Sequence, residues 1–125
     1  MKTGLALLLW SADPDQPARL ATPFAHAAAA AALEMQVEVY FSARAVLLLQ
    51  PGVAEGLRAS ERFDKSIAAW MHDALSHGAR FFACTDALAA QGLTQADLMP
   101  AARHHGGAVQ YAARAADPAW TCLVF

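Results

Sequence analysis

Leu5-Ala6-Leu7-Leu8-Leu9-Trp10 is an unbroken apolar run of strand length, followed at once by the turn residues Ser11-Ala12-Asp13-Pro14. A strand wetted on one face alternates apolar and polar residues. A strand apolar at every position must be covered on both faces, as in a parallel sheet flanked by helices. This one run therefore points to an α/β fold. Met1–Trp10 also carries one lysine and a short apolar stretch, but its strand length and the turn behind it read as a first core strand and not as a targeting segment.

The remaining pattern agrees. Val37–Phe41, Arg80–Cys84 and Trp120–Phe125 are short runs of β-formers, which makes about four strands. Between the first two, an alanine-rich stretch predicts a helix to about Met35. Pro17 or Pro23 suits its first position, and Thr22 suits its N-cap. Ala45–Gln50 reads as a short helix or a strand fragment, stopped by Pro51-Gly52. From Asp64, the spacing of Ile67, Trp70, Met71, Ala74 and Leu75 predicts a helix closed by Gly78. Asp86–Gln91 predicts a short helix stopped by Gly92, Thr94–Asp97 a capping-box start, and Ala108–Ala116 a last helix. Alternating strands and helices imply a mostly parallel sheet with right-handed crossovers and helices on both faces, a three-layer α/β architecture. At 125 residues the chain has the length of one domain.

Composition narrows the function classes. Apolar residues make up 57%, yet none of the runs approaches the roughly 18 residues of a membrane span, so no membrane partner is expected. A net charge of −2, with nine scattered Lys and Arg, offers no basic field for nucleic acid. Cys84 and Cys122 lie far apart and form no C-x-x-C pair, which suits a reducing compartment and makes the cytoplasm the expected location. Only 16% charged residues, many alanines and three tryptophans suggest apolar surface covered by another subunit, hence a homo-oligomer.

In such sheets ligands bind beyond the carboxyl ends of the strands, which selects Trp10–Asp13, Phe41–Arg44 and Cys84–Asp86. Cys84 sits between a strand and a short helix, where free N–H groups and the helix dipole favour negative charge on sulfur. Asp86 opposes this if its carboxylate faces the thiol, and a small buried core residue is an equal alternative. Cys122, mid-strand, reads as a packed side chain and not as a resolving partner. His26, on the first helix, either points into the crevice or is a hydrogen-bonded core residue. His72 and His77 fall on different helical faces. Asp73 and His77 make at most a two-ligand site, so no metal is expected. His104-His105 reads as solvated loop. Ser42 is a hydroxyl without an assigned base. G-x-G-x-x-G, G-x-x-x-x-G-K-[ST] and G-x-S-x-G are all missing.

Phe81-Phe82-Ala83-Cys84-Thr85-Asp86-Ala87-Leu88-Ala89-Ala90-Gln91-Gly92-Leu93, a strand ending in cysteine and a short helix closing in Gly-Leu, resembles the DsrE/DsrF-like family of small sulfur-relay proteins. The likeness extends to the first strand with its alanine-rich helix, Val37–Phe41, the Lys65–Gly78 helix and the segment from Gly107 to the last strand. Ala45-Val46 departs from the Gly-Val common there in the family. The resemblance implies a flavodoxin-like three-layer fold and assembly into dimers, trimers or hexamers. It also implies a cysteine, at position 84, that accepts sulfane sulfur as a persulfide and needs no cofactor. Donor and acceptor proteins would be the partners, and Ser11, Asp13, His26, Ser42, Thr85 and Asp86 would surround the site. The competing expectations are an assembly subunit, with Cys84 in the core and a subunit contact near Trp70 and Trp120, and a redox or small-ligand sensor using the same crevice.

Overall fold

The computed structural model describes residues 3–104 and 106–125, so Met1, Lys2 and His105 lie outside the described residues. Four strands, β1 (Gly4–Leu9), β2 (Gln36–Phe41), β3 (Arg80–Ala83) and β4 (Trp120–Val124), form one sheet in the order β3-β2-β1-β4. Every pairing is parallel, so the expected mostly parallel sheet is wholly parallel among the described residues. The helices are α1 (Ala21–Ala32), α2 (Ile67–Ser76), α3 (Thr85–Ala90) and α4 (Ala108–Ala116). None is long and apolar enough to cross a membrane.

Two-residue alternation sends Leu5, Leu7, Leu9, Val37, Val39, Phe41 and Phe81 to one face of the sheet. There α1 and α2 cover them, with Phe24 of α1 stacked 5.9 Å from the Phe41 ring and 5.9 Å from that of Phe81. Alanines 27, 30 and 31 of α1 are buried, and their small side chains allow α1 and α2 to pack side by side. The opposite face carries a smaller cluster, Ala6, Tyr40, Phe82 and Trp120, and α4 lies over it. The chain steps from β1 to β2 to β3 with its helices on the first face. It then returns past β1 to β4 with α4 on the second, as right-handed crossovers require.

Helix α1 starts between the two expected positions, Pro17 and Pro23, and stops before Met35. Pro17–Arg19 forms a 3₁₀ turn that feeds directly into it through Leu20, which takes the N-cap place expected of Thr22. At its end Met35 N–H donates to Ala30 O (3.1 Å) and Glu34 N–H to Ala31 O (3.0 Å), a Schellman closure with Glu34 at φ 65°. The ends of α2 and α3 close in the same way, with Gly78 (φ 109°) and Gly92 (φ 71°) in the corresponding place. Glycine tolerates that left-handed backbone and glutamate does not, which is why the α1 stop is hidden in the sequence. Ala45–Gln50, expected as a short helix or a strand fragment, falls in a 3₁₀ helix over Ala43–Leu49 with Gln50 as its C-cap.

Glu38 is the buried charged residue among the described residues, with 4% of its surface exposed. Its carboxylate accepts from Arg114 Nε (2.7 Å) and Nη2 (3.1 Å), Tyr40 Oη (2.8 Å) and Gln110 Nε2 (3.3 Å). Burial pushes its pKa up, but the Arg114 and Tyr40 hydrogen bonds and the nearby guanidinium charges outweigh burial and hold it below the ordinary value. Arg114 in turn lies 4.3 Å over the Trp120 ring. The pair therefore ties α4 to β2 and β4.

Replacing Glu34 by glycine should stabilise the fold by about 1 kcal/mol, read as a raised denaturation midpoint, because it removes a side chain from a left-handed position. Removing Arg114 (Arg114→Ala) should cost about 3 kcal/mol, since it leaves Glu38 buried without its cation. The folded-state pKa of Glu38 lies below its unfolded value. Its contribution is thus complete above about pH 5 and drains away as pH falls through the ordinary 4.5 and below. Glu38→Gln should flatten the acid limb of the stability profile over that range.

Candidate functional site

Cys84 is the joint between β3 and α3. Its N–H donates to Phe41 O (2.9 Å), extending the ladder by one residue, and its carbonyl accepts from Leu88 N–H (3.0 Å), opening the helix. The residue is half-buried at the N-cap, and its sulfur makes no capping hydrogen bond. Just past the end of β3, Cys84 packs against the core that holds Phe81 and Ala83, and it also borders a cavity toward α4.

A cavity of about 200 Å³ opens beside it. Leu8, Tyr40, Phe41 and Ser42, from β1 and the end of β2, form its floor. Gly107, Ala108 and Tyr111, at the start of α4, form its roof. Tyr40 stacks on Phe82 (5.2 Å, 18°) and meets Tyr111 edge-on (5.4 Å, 74°), so the walls are aromatic. The loop into α4 lies directly on the sheet, since a Cβ on Gly106 would fall 2.5 Å from the Phe82 ring. Gly107, the N-cap of α4, has no side chain to cap the helix. The first N–H groups of α4 accordingly have no side-chain cap from this residue.

The polar groups around this cavity are few. Tyr40 Oη donates to Glu38, and burial, then that hydrogen bond, push its pKa up. Tyr111 Oη donates to Leu123 O (3.4 Å), and burial, then Cys122, raise its pKa as well. Both phenols therefore stay protonated at neutral pH and supply no base. Ser42 N–H donates to Leu9 O (2.9 Å), while its side chain caps nothing. It is followed by Ala43 at φ 48°, a left-handed alanine that costs about 1–2 kcal/mol. The chain bends sharply there to leave Ser42 at the cavity floor.

Of the residues singled out in the sequence, this cavity brings together Cys84 and Ser42. Thr85 and Asp86 are exposed in the first turn of α3 and do not line it. Ser11 leans the other way: its N–H donates to Phe125 O (3.1 Å), and it lines a separate cavity of about 200 Å³ with Arg19 and Phe125. Asp13 is engaged elsewhere. Its Oδ2 accepts from Arg44 Nε (2.8 Å) and its Oδ1 from Asp15 N–H (2.9 Å), a clasp between the loops after β1 and β2. The Asp15 N–H, then Arg44, hold its pKa below the usual value.

His26 is neither in the Cys84 crevice nor in the core. It is exposed on α1, with Nδ1 donating to Thr22 O (2.9 Å) and its ring 6.2 Å from that of Phe125. Asp73 is ion-paired with Lys65, and His77 Nδ1 donates to Asp73 O (2.8 Å), so the two side chains do not converge. His104 is half-buried with its ring 5.9 Å from Phe82, less solvated than expected. Trp120 is buried beneath Arg114, and Trp70 is half-buried with Lys65 Nζ 3.9 Å from its ring centroid, so Trp120 offers no surface for a subunit contact.

Cys122 packs in the α4-side cluster with Tyr111. Counting strands and register, it lies three strand spacings and four residues from Cys84, about 20 Å, far beyond the roughly 7 Å Cα limit for a disulfide. Both cysteines are free.

Sequence reasoning missed Tyr40, Tyr111 and the Glu38–Arg114 pair. A usable signal was present: Glu38 and Tyr40 alternate onto one face of a buried strand, and Gln110 and Arg114 stand four apart on one face of α4.

No curated protein matches the chain. The model of the DsrE/DsrF-like family matches residues 5–125, a span that takes in all four strands except Gly4, together with both walls of the Cys84 cavity. With this span and the three-layer parallel architecture, the chain belongs to the DsrE/DsrF-like family.

Proposed function

We propose that Cys84 accepts sulfane sulfur as a persulfide and hands it to a partner protein. The observation that carries the reading is the placement of Cys84 at a strand end beside a partly open cavity bordered by the start of α4, whose N-cap is Gly107. Membership in a sulfur-relay-type family supports it. The Cys84 thiolate attacks the outer sulfur of a donor persulfide, R–S–SH. A new S–S bond forms, the donor's S–S bond breaks, and R–S⁻ leaves with the electron pair. The transferred sulfur keeps its proton until the start of α4 favours the anion. Transfer to the acceptor repeats the exchange in reverse. No metal or organic cofactor takes part, and no outside oxidant is consumed.

Ser42 is the aliphatic hydroxyl of the lining, and Thr85 and Asp86 follow Cys84 in the exposed first turn of α3. Ser11, Asp13 and His26 belong instead to the neighbouring β1 and β4 ends, where an acceptor would pass. Donor and acceptor proteins are thus the proposed partners, without nucleic acid or membrane. Two free thiols suit the reducing cytoplasm. A homo-oligomer fits the exposed Trp10, Val109 and Val124 and the outer edge of β4, which pairs only with β1.

Incubation with a sulfane donor, followed by intact mass, tests the proposal. The wild type should gain one sulfur atom, Cys122→Ser should behave likewise, and Cys84→Ser should gain none. A Cys84 that stays unmodified by thiol reagents until denaturation would favour the assembly subunit. Sulfenic acid formation without sulfur uptake would favour the redox sensor.

A further inference from the structure

The cavity beside Cys84 limits which donors can deliver sulfur. Its lining residues carry no charged side chain. The two phenols that border it spend their hydrogens elsewhere, on Glu38 and on the Leu123 carbonyl. Two charges on the neighbouring strands and loops are committed as well: Glu38 is met by Arg114, and Asp13 by Arg44. One negative charge, that of the reacting sulfur, can be met by the first N–H groups of α4. A second would be buried against the first with no side-chain cation among the described lining residues to meet it. The volume, about 200 Å³, equals that of about seven liquid waters and falls below that of a pocket for a drug-sized ligand. It suits a group of side-chain size.

Resting on the persulfide reading above, we infer that the cavity admits sulfane sulfur carried on a neutral, side-chain-sized apolar group and turns away anionic donors such as thiosulfate. The balance is that of the exchange already described. The bond to the incoming sulfur forms at Cys84 Sγ, the donor's S–S bond breaks, and a neutral R group departs as R–S⁻, to be protonated by water. With thiosulfate the leaving group would be sulfite, a dianion expelled within an apolar wall.

Cavity selectivity can be read without any sulfur transfer. The native wild-type protein is treated with benzyl, sulfonatoethyl or trimethylammonioethyl methanethiosulfonate, which are neutral, anionic and cationic. Labelling of the Cys84 peptide is followed by mass and normalised to N-acetylcysteine. The benzyl reagent should be favoured over the sulfonatoethyl reagent by at least about tenfold relative to the free thiol. Ala108→Phe, which fills the cavity from the exposed first turn of α4, should abolish that preference. Ser42→Lys, which places a cation on the floor, should raise the sulfonatoethyl rate. Equal normalised rates for all three reagents, or a preference for the anionic one, would overturn the inference.

A parallel assay of persulfide gain from thiosulfate and from benzyl persulfide separates this inference from the reading beneath it. Equal gain from both donors removes the selectivity and leaves the carrier standing. Neutral-selective labelling with no sulfur gain from either donor removes the carrier and leaves the cavity's selectivity.

Discussion

A carboxylate carried into the middle of a parallel sheet has lost its water and must find a cation and several donors in exchange. Glu38 does so through Arg114, Gln110 and Tyr40, two of which reach it from α4. This exchange decides how α4 sits. The helix is amphipathic but buries none of its residues fully, so apolar packing alone holds it weakly to the sheet. The ion pair fixes its rotation and its distance from β2. With α4 fixed, its first turn comes to rest over Leu8 and Tyr40, and the space beside Cys84 becomes a walled cavity instead of an open shelf.

The two faces of the sheet are therefore unequal by construction. One is filled by Phe24, Phe41 and Phe81 beneath two helices and has the character of a conventional core. The other is thinner, aromatic and partly polar. Cys84 stands at the strand end between them, half-buried, packed against the first core and bordering the cavity on the second side.

Much of this arrangement is legible in the residues. The unbroken run Leu5–Leu9 announces a strand covered on both faces, and the rule that ligands sit beyond strand ends picks out both Ser42 and Cys84. What is not legible depends on contacts between distant segments. Ser11 and Asp13 satisfy the same rule, yet the loop after β1 leans toward Phe125 and clasps Arg44, which takes both away from the sulfur. His26 sits one helical turn after Thr22, and a bond to that residue's carbonyl turns its ring outward. Tyr111 enters the site only because α4 returns over the sheet from far along the chain. The end of α1 is hidden for a local reason, since glutamate stands where the equivalent turns have glycine.

Tyr40 belongs to two structures at once. Its ring is a wall of the Cys84 cavity, stacked on Phe82 and edge-on to Tyr111, while its hydroxyl donates to the buried Glu38 carboxylate. A side chain anchored at both ends cannot relax at one without moving the other. Substitutions at Glu38 and at Tyr111, on different elements and with different chemistry, thus share a single mechanical intermediary. Their effects on stability will not sum. In evolutionary terms, the polar anchor of α4 and the shape of the sulfur cavity are not free to drift independently.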